Sequence, residues 1–199
     1  MSKSPPTLTD RARALVSRPL NYVAQWCYRA GIHPDTISLL GLALVVAAAL
    51  LIAQGQPQSG GVVLLLGLPL DALDGAIARA MQRRDRFGGL LDSTLDRYAD
   101  GFIFAALGYY FASQNQLDNL VLALAALIGS YSVSYVRARA GEAGLSVKVG
   151  LFTRLERVAV LLPALLVPPL LVPGLWVLAI GTNITGIQRL WFVYKNTEM

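Results

Sequence analysis

Five aspartates stand close together in a part of the sequence that is otherwise rich in Leu, Ala, Val and Ile; they are Asp71, Asp74, Asp92, Asp96 and Asp100. Asp71 and Asp74 are three residues apart, and Asp92 and Asp96 are four apart, so each pair lies on one face of a helix. Two adjacent helices can therefore aim four carboxylates at one point. Mg²⁺ and Mn²⁺ prefer carboxylate oxygens and keep open positions for substrate phosphates. The spacing is typical of a site for two such ions, which together favour displacement at phosphorus.

The same acids have a second interpretation. Charged groups inside a membrane must be protonated, paired or solvated, so the aspartates could instead form a structural network or a proton relay with Arg79 and Arg97. Gly75, Gly88 and Gly89 stand beside the acids. Glycine lets a backbone and a ligand approach closely, which favours a ligand site. Spacing alone leaves both interpretations open.

The surrounding sequence indicates helices that cross a membrane. The chain has 199 residues, of which 55% are hydrophobic, and its mean hydropathy is +0.52. We predict an all-α integral membrane protein, because a segment that crosses lipid must satisfy its own backbone hydrogen bonds. Six segments approach the required length of about 20 residues, and they cover residues 35–54, 61–82, 88–112, 117–140, 154–172 and 174–194. We expect a single membrane domain over residues 1–199, with a bundle of six transmembrane helices at 35–194.

A further helix is predicted ahead of these spans, at residues 10–31. Asp10 can cap its first turn and Gly31 can end it. Between them, basic residues such as Arg11 and Arg13 are mixed with apolar side chains, which is typical of an amphipathic helix lying along a membrane surface. A signal peptide would need a longer apolar centre and a small-residue cleavage site. We therefore expect an interfacial helix.

The distribution of charge predicts the orientation in the membrane. The net charge is +5, and the connections at 55–60, 113–116 and 168–174 contain no Lys or Arg. By the positive-inside rule, both termini of this multi-pass protein of the cell membrane are cytosolic. The aspartates then lie near the cytosolic helix ends, so we expect an active site that faces the cytosol. Topology and anionic lipid explain the positive charge, so we expect the lipid bilayer as a partner and no nucleic acid.

Two residue types that occur once each exclude several kinds of chemistry. Cys27 is the only cysteine and His33 the only histidine, so neither an intrachain disulfide nor a thiolate metal cluster can form. A Ser-His-Asp hydrolase needs a partnered histidine, whereas His33 beside Pro34 suits a solvated or capping position. We expect Cys27 to be a packing residue.

Residues 71–96, DALDGAIARAMQRRDRFGGLLDSTLD, resemble the signature of the CDP-alcohol phosphatidyltransferase family, Asp-x-x-Asp-Gly-x-x-Ala-Arg-x(8)-Gly-x-x-x-Asp-x-x-x-Asp. All eight specified positions match without a gap, and the six-helix plan also agrees with that family. The resemblance implies metal-dependent transfer of the phosphatidyl group from CDP-diacylglycerol to an alcohol, with release of CMP. It also implies a homodimer, for which small residues in the third and fourth spans give weak physical support.

The resemblance implies roles for individual residues. Asp71 and Asp92 would each bind both metal ions, Mg²⁺ or Mn²⁺. Asp74 would bind the first ion, and Asp96 would bind the second and act as the catalytic base. The residues that would contact CDP-diacylglycerol are Asp35, Thr36, Ile37, Ser38, Gly75, Ala78, Arg79 and Asp85. Asp100 lies outside the signature, three residues after Arg97, and we expect a structural ion pair between these two.

A group of arginines near the ends of the fourth, fifth and sixth spans indicates the acceptor. Its members are Arg137, Arg139, Arg154, Arg157 and Arg189. Topology alone can explain basic residues here, but these lie within helix ends, and Arg suits the recognition of phosphate. The segments SYVRARAGEAGL, FTRLER and IQRL resemble those of phosphatidylinositol phosphate synthases, which implies inositol phosphate as the acceptor, with glycerol 3-phosphate as the alternative. An ion or proton transporter and a non-catalytic membrane scaffold are the other classes, but neither explains the intact signature.

Overall fold

The structure of the protein, a computed structural model, describes residues 20–81, 86–147 and 149–197. Every regular element in these ranges is a helix, as the all-α prediction requires. Residues 20–29 form α1. The remaining elements are α2 (Pro34–Ala53), α3 (Pro57–Ala80), α4 (Arg86–Ser113), α5 (Leu117–Glu142), α6 (Arg154–Leu166), a 3₁₀ turn (Pro168–Leu170) and α7 (Leu171–Thr197).

Within the described residues, four segments are long and apolar enough to cross a membrane: α2, α3, α5 and the stretch Pro168–Thr197. This composition identifies a multi-pass α-helical membrane protein. α4 has 28 residues and therefore enough length, but it carries Asp92, Asp96 and Asp100. α6 has 13 residues and measures about 20 Å, which is less than the hydrocarbon thickness of about 30 Å. Six membrane crossings therefore stay a prediction.

The fifth predicted span, 154–172, is interrupted in the structure. α6 ends at Leu166, and Val167 is extended, with φ −115° and ψ 103°. Two prolines follow, and a residue before proline is biased away from helical geometry, while proline itself has no N–H to donate. Pro173 lies in the first turn of α7, where the missing N–H costs nothing. The chain therefore breaks at the first two prolines and not at the third.

The described chain divides into two compact units, and α2, α3 and α4 each contribute residues to both. The first unit comprises the described residues up to Ala43 together with those from Gly67 to Leu95. Its core contains Ala24 and Cys27 of α1, Ile37 of α2, and two residues of α3, Ala76 and Ile77. Cys27 is only 5% exposed, which confirms its predicted packing role. Residues 10–19 of the predicted interfacial helix lie outside the described residues, so that helix as a whole stays a prediction.

The second unit comprises residues 44–66 and the described residues from Asp96 onward. Its core is built from α2, α4, α5, α6 and α7, with Ile52, Leu107, Phe111 and Leu178 among its most buried side chains. α7 packs against both α5 and α6. Gly129 lets α5 approach α7, because a Cβ there would collide with Thr182. This close packing holds the helices that carry the arginine group.

Candidate active site

Three aspartates meet in the first unit. Asp71 and Asp74 project from α3 and Asp92 projects from α4, and each offers a carboxylate oxygen within 4.8 Å of the others. Asp74 is buried, whereas Asp71 and Asp92 are exposed. Like charges at this distance repel one another. The three carboxylates therefore form an oxygen-only group that a hard divalent cation would stabilise.

Asp74 is held in place from two sides. The Ser38 hydroxyl of α2 donates to Asp74 Oδ2 at 2.7 Å, and the backbone N–H of Gly75 donates to Asp74 Oδ1 at 2.5 Å. A carboxylate oxygen has two lone pairs, so each oxygen keeps one for a further ligand. Ser38 also lies 3.3 Å from the carbonyl oxygen of Pro34, which ties its hydroxyl to the first turn of α2.

The glycine after Asp74 makes room for an arginine. A Cβ at Gly75 would lie 3.3 Å from Arg79 NH1, which is a tight contact, so the guanidinium rests over the glycine backbone. Arg79 is exposed and Ala78 is half-buried. This places an exposed positive group on α3, one turn after the buried carboxylate of Asp74.

The first turn of α2 contains the other predicted contacts of CDP-diacylglycerol. Asp35 Oδ2 lies 3.4 Å from His33 Nδ1, and Thr36 is exposed. Ile37 is buried in the core of the first unit, so its side chain packs between helices and only its backbone could reach a ligand. Asp85 lies outside the described residues.

Asp96 lies four residues after Asp92 on α4, in the second unit. Its Oδ1 is 2.9 Å from Arg154 NH1, and its Oδ2 is 3.9 Å from Arg97 NH1. Arg154 is the first residue of α6. Asp96 was predicted as a metal ligand and base, and Arg154 as a ligand of the acceptor phosphate; the structure makes them partners.

The predicted partner of Asp100 was wrong. Its Oδ2 lies 2.9 Å from NH2 of Arg157 on α6, and it also accepts a hydrogen bond from the Ser130 hydroxyl of α5. The prediction had chosen Arg97 because that residue is close in the sequence. Packing of α4 against α5 and α6 places Arg157 closer, although it is distant along the chain.

The arginine group does not share one environment. Arg189 is 3% exposed; its Nε donates to the Val149 carbonyl at 2.9 Å and its NH1 to the Val133 carbonyl at 2.8 Å. Arg137 is exposed. Arg139 is also exposed and forms an ion pair with Glu142.

Arg137 of α5 and Arg157 of α6 nevertheless lie on helices that both pack against α7, which carries Arg189. This part of the second unit therefore has a concentration of positive charge, which would attract a phosphate. Arg139, at the end of α5, is neutralised by Glu142.

Sequence reasoning missed the hydroxyl groups that orient the acids. Ser38 was assigned to the nucleotide, whereas its hydroxyl contacts Asp74. Ser130 was not considered, although a fully buried serine in an apolar helix needs a hydrogen-bond partner. A serine beside Gly129 in such a segment was the available signal, but the sequence could not identify Asp100 as its acceptor.

Comparisons with known proteins identify the family of the chain. A sequence profile of the CDP-alcohol phosphatidyltransferase family matches residues 31–188. The chain is 39% identical to the phosphatidylinositol phosphate synthase of Streptomyces avermitilis, over 92% of this chain and 81% of that protein. It is 38% identical to the phosphatidylinositol phosphate synthase of Mycolicibacterium smegmatis, over 92% of this chain and 86% of that protein.

Solved structures are also similar. The crystal structure of the Mycobacterium tuberculosis phosphatidylinositol phosphate synthase with CDP-DAG bound has a TM-score of 0.84 and 35% identity, and the match covers 89% of this chain and 94% of that chain. The structure of that enzyme in complex with manganese and citrate has a TM-score of 0.82 and 35% identity, with 88% of each chain covered. The chain therefore belongs to the CDP-alcohol phosphatidyltransferase family.

Proposed function

We propose that this protein transfers the phosphatidyl group of CDP-diacylglycerol to inositol phosphate, which yields phosphatidylinositol phosphate and CMP. The observation that carries the proposal is the meeting of Asp71, Asp74 and Asp92 within 4.8 Å, inside a complete family signature. The names of the similar synthases support inositol phosphate as the acceptor. The solved relative with CDP-DAG bound supports the donor.

The carboxylates fit a hard divalent cation, because they supply only oxygen ligands. We propose that Asp71, Asp74, Asp92 and Asp96 hold two ions, Mg²⁺ or Mn²⁺. Asp96 is included on the strength of the signature and of its position one turn after Asp92 on α4. The manganese in a solved relative supports a metal site. Such ions, when bound, neutralise negative charge on the pyrophosphate and on the leaving CMP.

Asp96 is the base in this proposal, and Arg154 holds its carboxylate in one orientation. The acceptor hydroxyl gives its proton to Asp96 while its oxygen attacks the phosphorus that carries diacylglycerol. A new bond forms between that oxygen and phosphorus, and the bond from phosphorus to the bridging pyrophosphate oxygen breaks. CMP leaves with the bridging oxygen.

The CDP half of the donor lies, in this proposal, over the first unit. Arg79 is exposed above Gly75 and can contact the phosphates. Thr36, which is exposed, and Asp35 lie in the first turn of α2 and are proposed contacts of the nucleotide. The remaining proposed contacts of the donor are Ser38, Ala78, Asp85 and the backbone of Ile37.

The acceptor phosphate is proposed to bind the positive group in the second unit. Arg154 and Arg137 are accessible there. Arg189 uses Nε and NH1 for backbone carbonyls, and a guanidinium has five N–H donors in all, so its NH2 is the group we propose for the acceptor. Arg139 was predicted to take part, but its pairing with Glu142 makes it a weaker candidate.

We also propose the membrane arrangement expected from the sequence. α4 and α6 would join the four apolar segments as spans, with both termini and the active site on the cytosolic side and residues 10–31 along the membrane surface. The chain would act as one domain and as a homodimer. The positive-inside rule supports this orientation in the membrane. Lys and Arg are absent from the connections 55–60, 113–116 and 168–174.

The test is a competition among acceptors. Purified protein in lipid nanodiscs would receive CDP-diacylglycerol, a divalent metal, and an equimolar mixture of inositol phosphate, glycerol 3-phosphate, serine and inositol. Phosphatidylinositol phosphate is the expected main lipid product. Preference for an unphosphorylated alcohol, or for glycerol 3-phosphate, would contradict the assigned acceptor.

A matched pair of variants tests the acceptor site. Arg154→Ala is expected to raise the KM for inositol phosphate at least about tenfold, because a charge-assisted contact to phosphate is lost. Lys195→Ala is the control: this lysine is also basic and accessible, but it rests over the Trp191 ring at 5.2 Å. An unchanged KM in Arg154→Ala would remove that arginine from the acceptor site.

A further inference from the structure

Two ion pairs connect α4 with α6 in the second unit. The outer pair joins Asp96 Oδ1 to Arg154 NH1 at 2.9 Å, and the inner pair joins Asp100 Oδ2 to Arg157 NH2 at 2.9 Å. The acids are four residues apart on α4, and the arginines are three apart on α6, so each set lies on one helix face. The first turn of α6 is thus attached to α4 at two successive levels.

The two pairs differ in exposure. The Arg154 side chain of the outer pair is 41% exposed, whereas the Arg157 side chain of the inner pair is 7% exposed. An exposed pair exchanges readily with water and ligands, but removing one member of a buried pair leaves an uncompensated charge. The inner pair is therefore the one that fixes the geometry, whereas Arg154 of the outer pair remains accessible to a substrate.

α5 fixes the inner pair from a third direction. The Ser130 hydroxyl donates to Asp100 Oδ2, the oxygen that also accepts from Arg157. One residue later, the Tyr131 hydroxyl donates to the Arg97 carbonyl of α4 at 3.0 Å. Gly101 leaves the space for that hydroxyl, since a Cβ there would lie 2.6 Å from it. Three helices therefore meet at one carboxylate.

The start of α6 is held as one closed turn. Thr153 and Glu156 form a capping box that closes its first turn. The N–H of Phe152 donates to Thr185 Oγ1 of α7 at 3.0 Å. Because Arg154 and Arg157 lie in this same closed turn, a displacement at Arg157 would carry Arg154 with it.

We propose that Asp100, Arg157 and Ser130 are positioning residues for the acceptor site. They hold the first turn of α6 against α4, so that Arg154 stays beside Asp96 and meets the acceptor phosphate there. This inference rests on the proposed function, because it takes Arg154 as an acceptor ligand. It assigns Arg157 to the support of Arg154 and not to direct contact with the substrate.

The test is a double-mutant cycle on the full-length protein in nanodiscs, with Arg157→Gln, Arg154→Gln and the double variant. Arg157→Gln is expected to raise the KM for the acceptor about tenfold, since small misplacements of a binding group are costly, and to leave the KM for CDP-diacylglycerol unchanged. In the Arg154→Gln background the same change should alter the acceptor KM by less than about twofold, because residues that act through one another are not additive.

Two outcomes would overturn the proposal. Additive effects on the acceptor KM would mean that Arg157 contacts the acceptor itself, through its Nε, which has no hydrogen-bond partner within the described residues. A lowered melting temperature with an unchanged acceptor KM would mean a purely structural pair. If Arg157→Gln does not fold, Arg157→Lys and Ser130→Ala replace it, with a smaller rise in the same KM as the expected result and an unchanged KM as the refutation.

The competition among acceptors, measured with the wild-type protein, distinguishes failure of this proposal from failure of the proposed function. Wild-type turnover with another phosphorylated acceptor, but not with inositol phosphate, would contradict the proposed function alone, and the cycle is then measured with the acceptor that is used. Absence of turnover with any phosphorylated acceptor would overturn both.

Discussion

Removing the hydroxyl of Ser38 should weaken metal binding without removing a metal ligand. This hydroxyl donates to Asp74 Oδ2 at 2.7 Å, and Asp74 is the buried member of the aspartate group. In Ser38→Ala, that oxygen loses its fixed orientation while all three carboxylates remain. The variant therefore tests whether α2 helps to build the site.

The size of the effect follows from the kind of bond that is lost. A hydrogen bond to a charged group contributes about 1.5–3 kcal/mol, and each 1.4 kcal/mol corresponds to about tenfold in a binding constant. Loss of a group that orients a metal ligand typically costs about 10- to 100-fold in metal affinity. We therefore expect the Mn²⁺ or Mg²⁺ concentration for half-maximal activity to rise by about 10- to 100-fold, with most of the maximal rate retained.

The assay is CMP release across a range of buffered metal concentrations. Ser38→Thr should stay close to wild type, because it keeps a hydroxyl at this position. Ser113→Ala is the matched control, since the Ser113 hydroxyl donates only to a backbone carbonyl of its own helix, that of Tyr110. A metal dependence in Ser38→Ala that matches wild type would refute the reasoning.

Three further predictions concern the metal, the base and the buried arginine. Excess chelator should abolish CMP release, and returned Mn²⁺ or Mg²⁺ should restore it; full activity in chelator would contradict a metal site. Asp96→Asn should keep CDP-diacylglycerol binding but lower turnover at least about 100-fold, because an amide cannot accept the proton; near-normal turnover would assign the base elsewhere. Arg189→Ala should lower the free energy of unfolding by about 2–5 kcal/mol, since the buried Val133 carbonyl and the Val149 carbonyl lose their donors, whereas Arg139→Ala should change it by less than about 0.5 kcal/mol; thermal unfolding of both variants checks this.

The part of the site that follows from helical periodicity was predictable. Spacings of three and four residues place acids on one face, and Asp71, Asp74 and Asp92 do come together. The apolar segments α2, α3 and α5 were also predictable, since a run of about 20 apolar residues indicates a membrane-crossing helix. The information is local, because it lies in the spacing within each helix, and α3 and α4 follow each other in the chain.

Contacts between distant parts of the chain could not be predicted in the same way. Asp100 pairs with Arg157 and not with its sequence neighbour Arg97, because the packing of α4 against α5 and α6 decides which charge is closest. The arginine group looked uniform in the sequence, yet Arg189 is buried against backbone carbonyls while Arg139 is exposed. Burial is a property of the packed helices, and a charge count along the chain does not report it.

α6 is shorter than the span that hydrophobicity predicted. Hydrophobicity continues through Val167 and the prolines that follow, so the predicted span ran to residue 172. Backbone chemistry ends the helix earlier, because two consecutive prolines cannot donate to its last turn. The hydrophobic pattern indicated where the chain is apolar, but not where it is helical.

The central claim is that the phosphatidyl group moves from CDP-diacylglycerol to inositol phosphate at a metal-dependent aspartate site. The most direct test follows ³²P placed on the phosphorus that carries diacylglycerol. We predict that the label stays in the lipid fraction as phosphatidylinositol phosphate, that unlabelled CMP appears in equal amount, and that both products are lost in chelator and in Asp92→Asn. Release of the label into a water-soluble product, or undiminished transfer in Asp92→Asn, would contradict the claim.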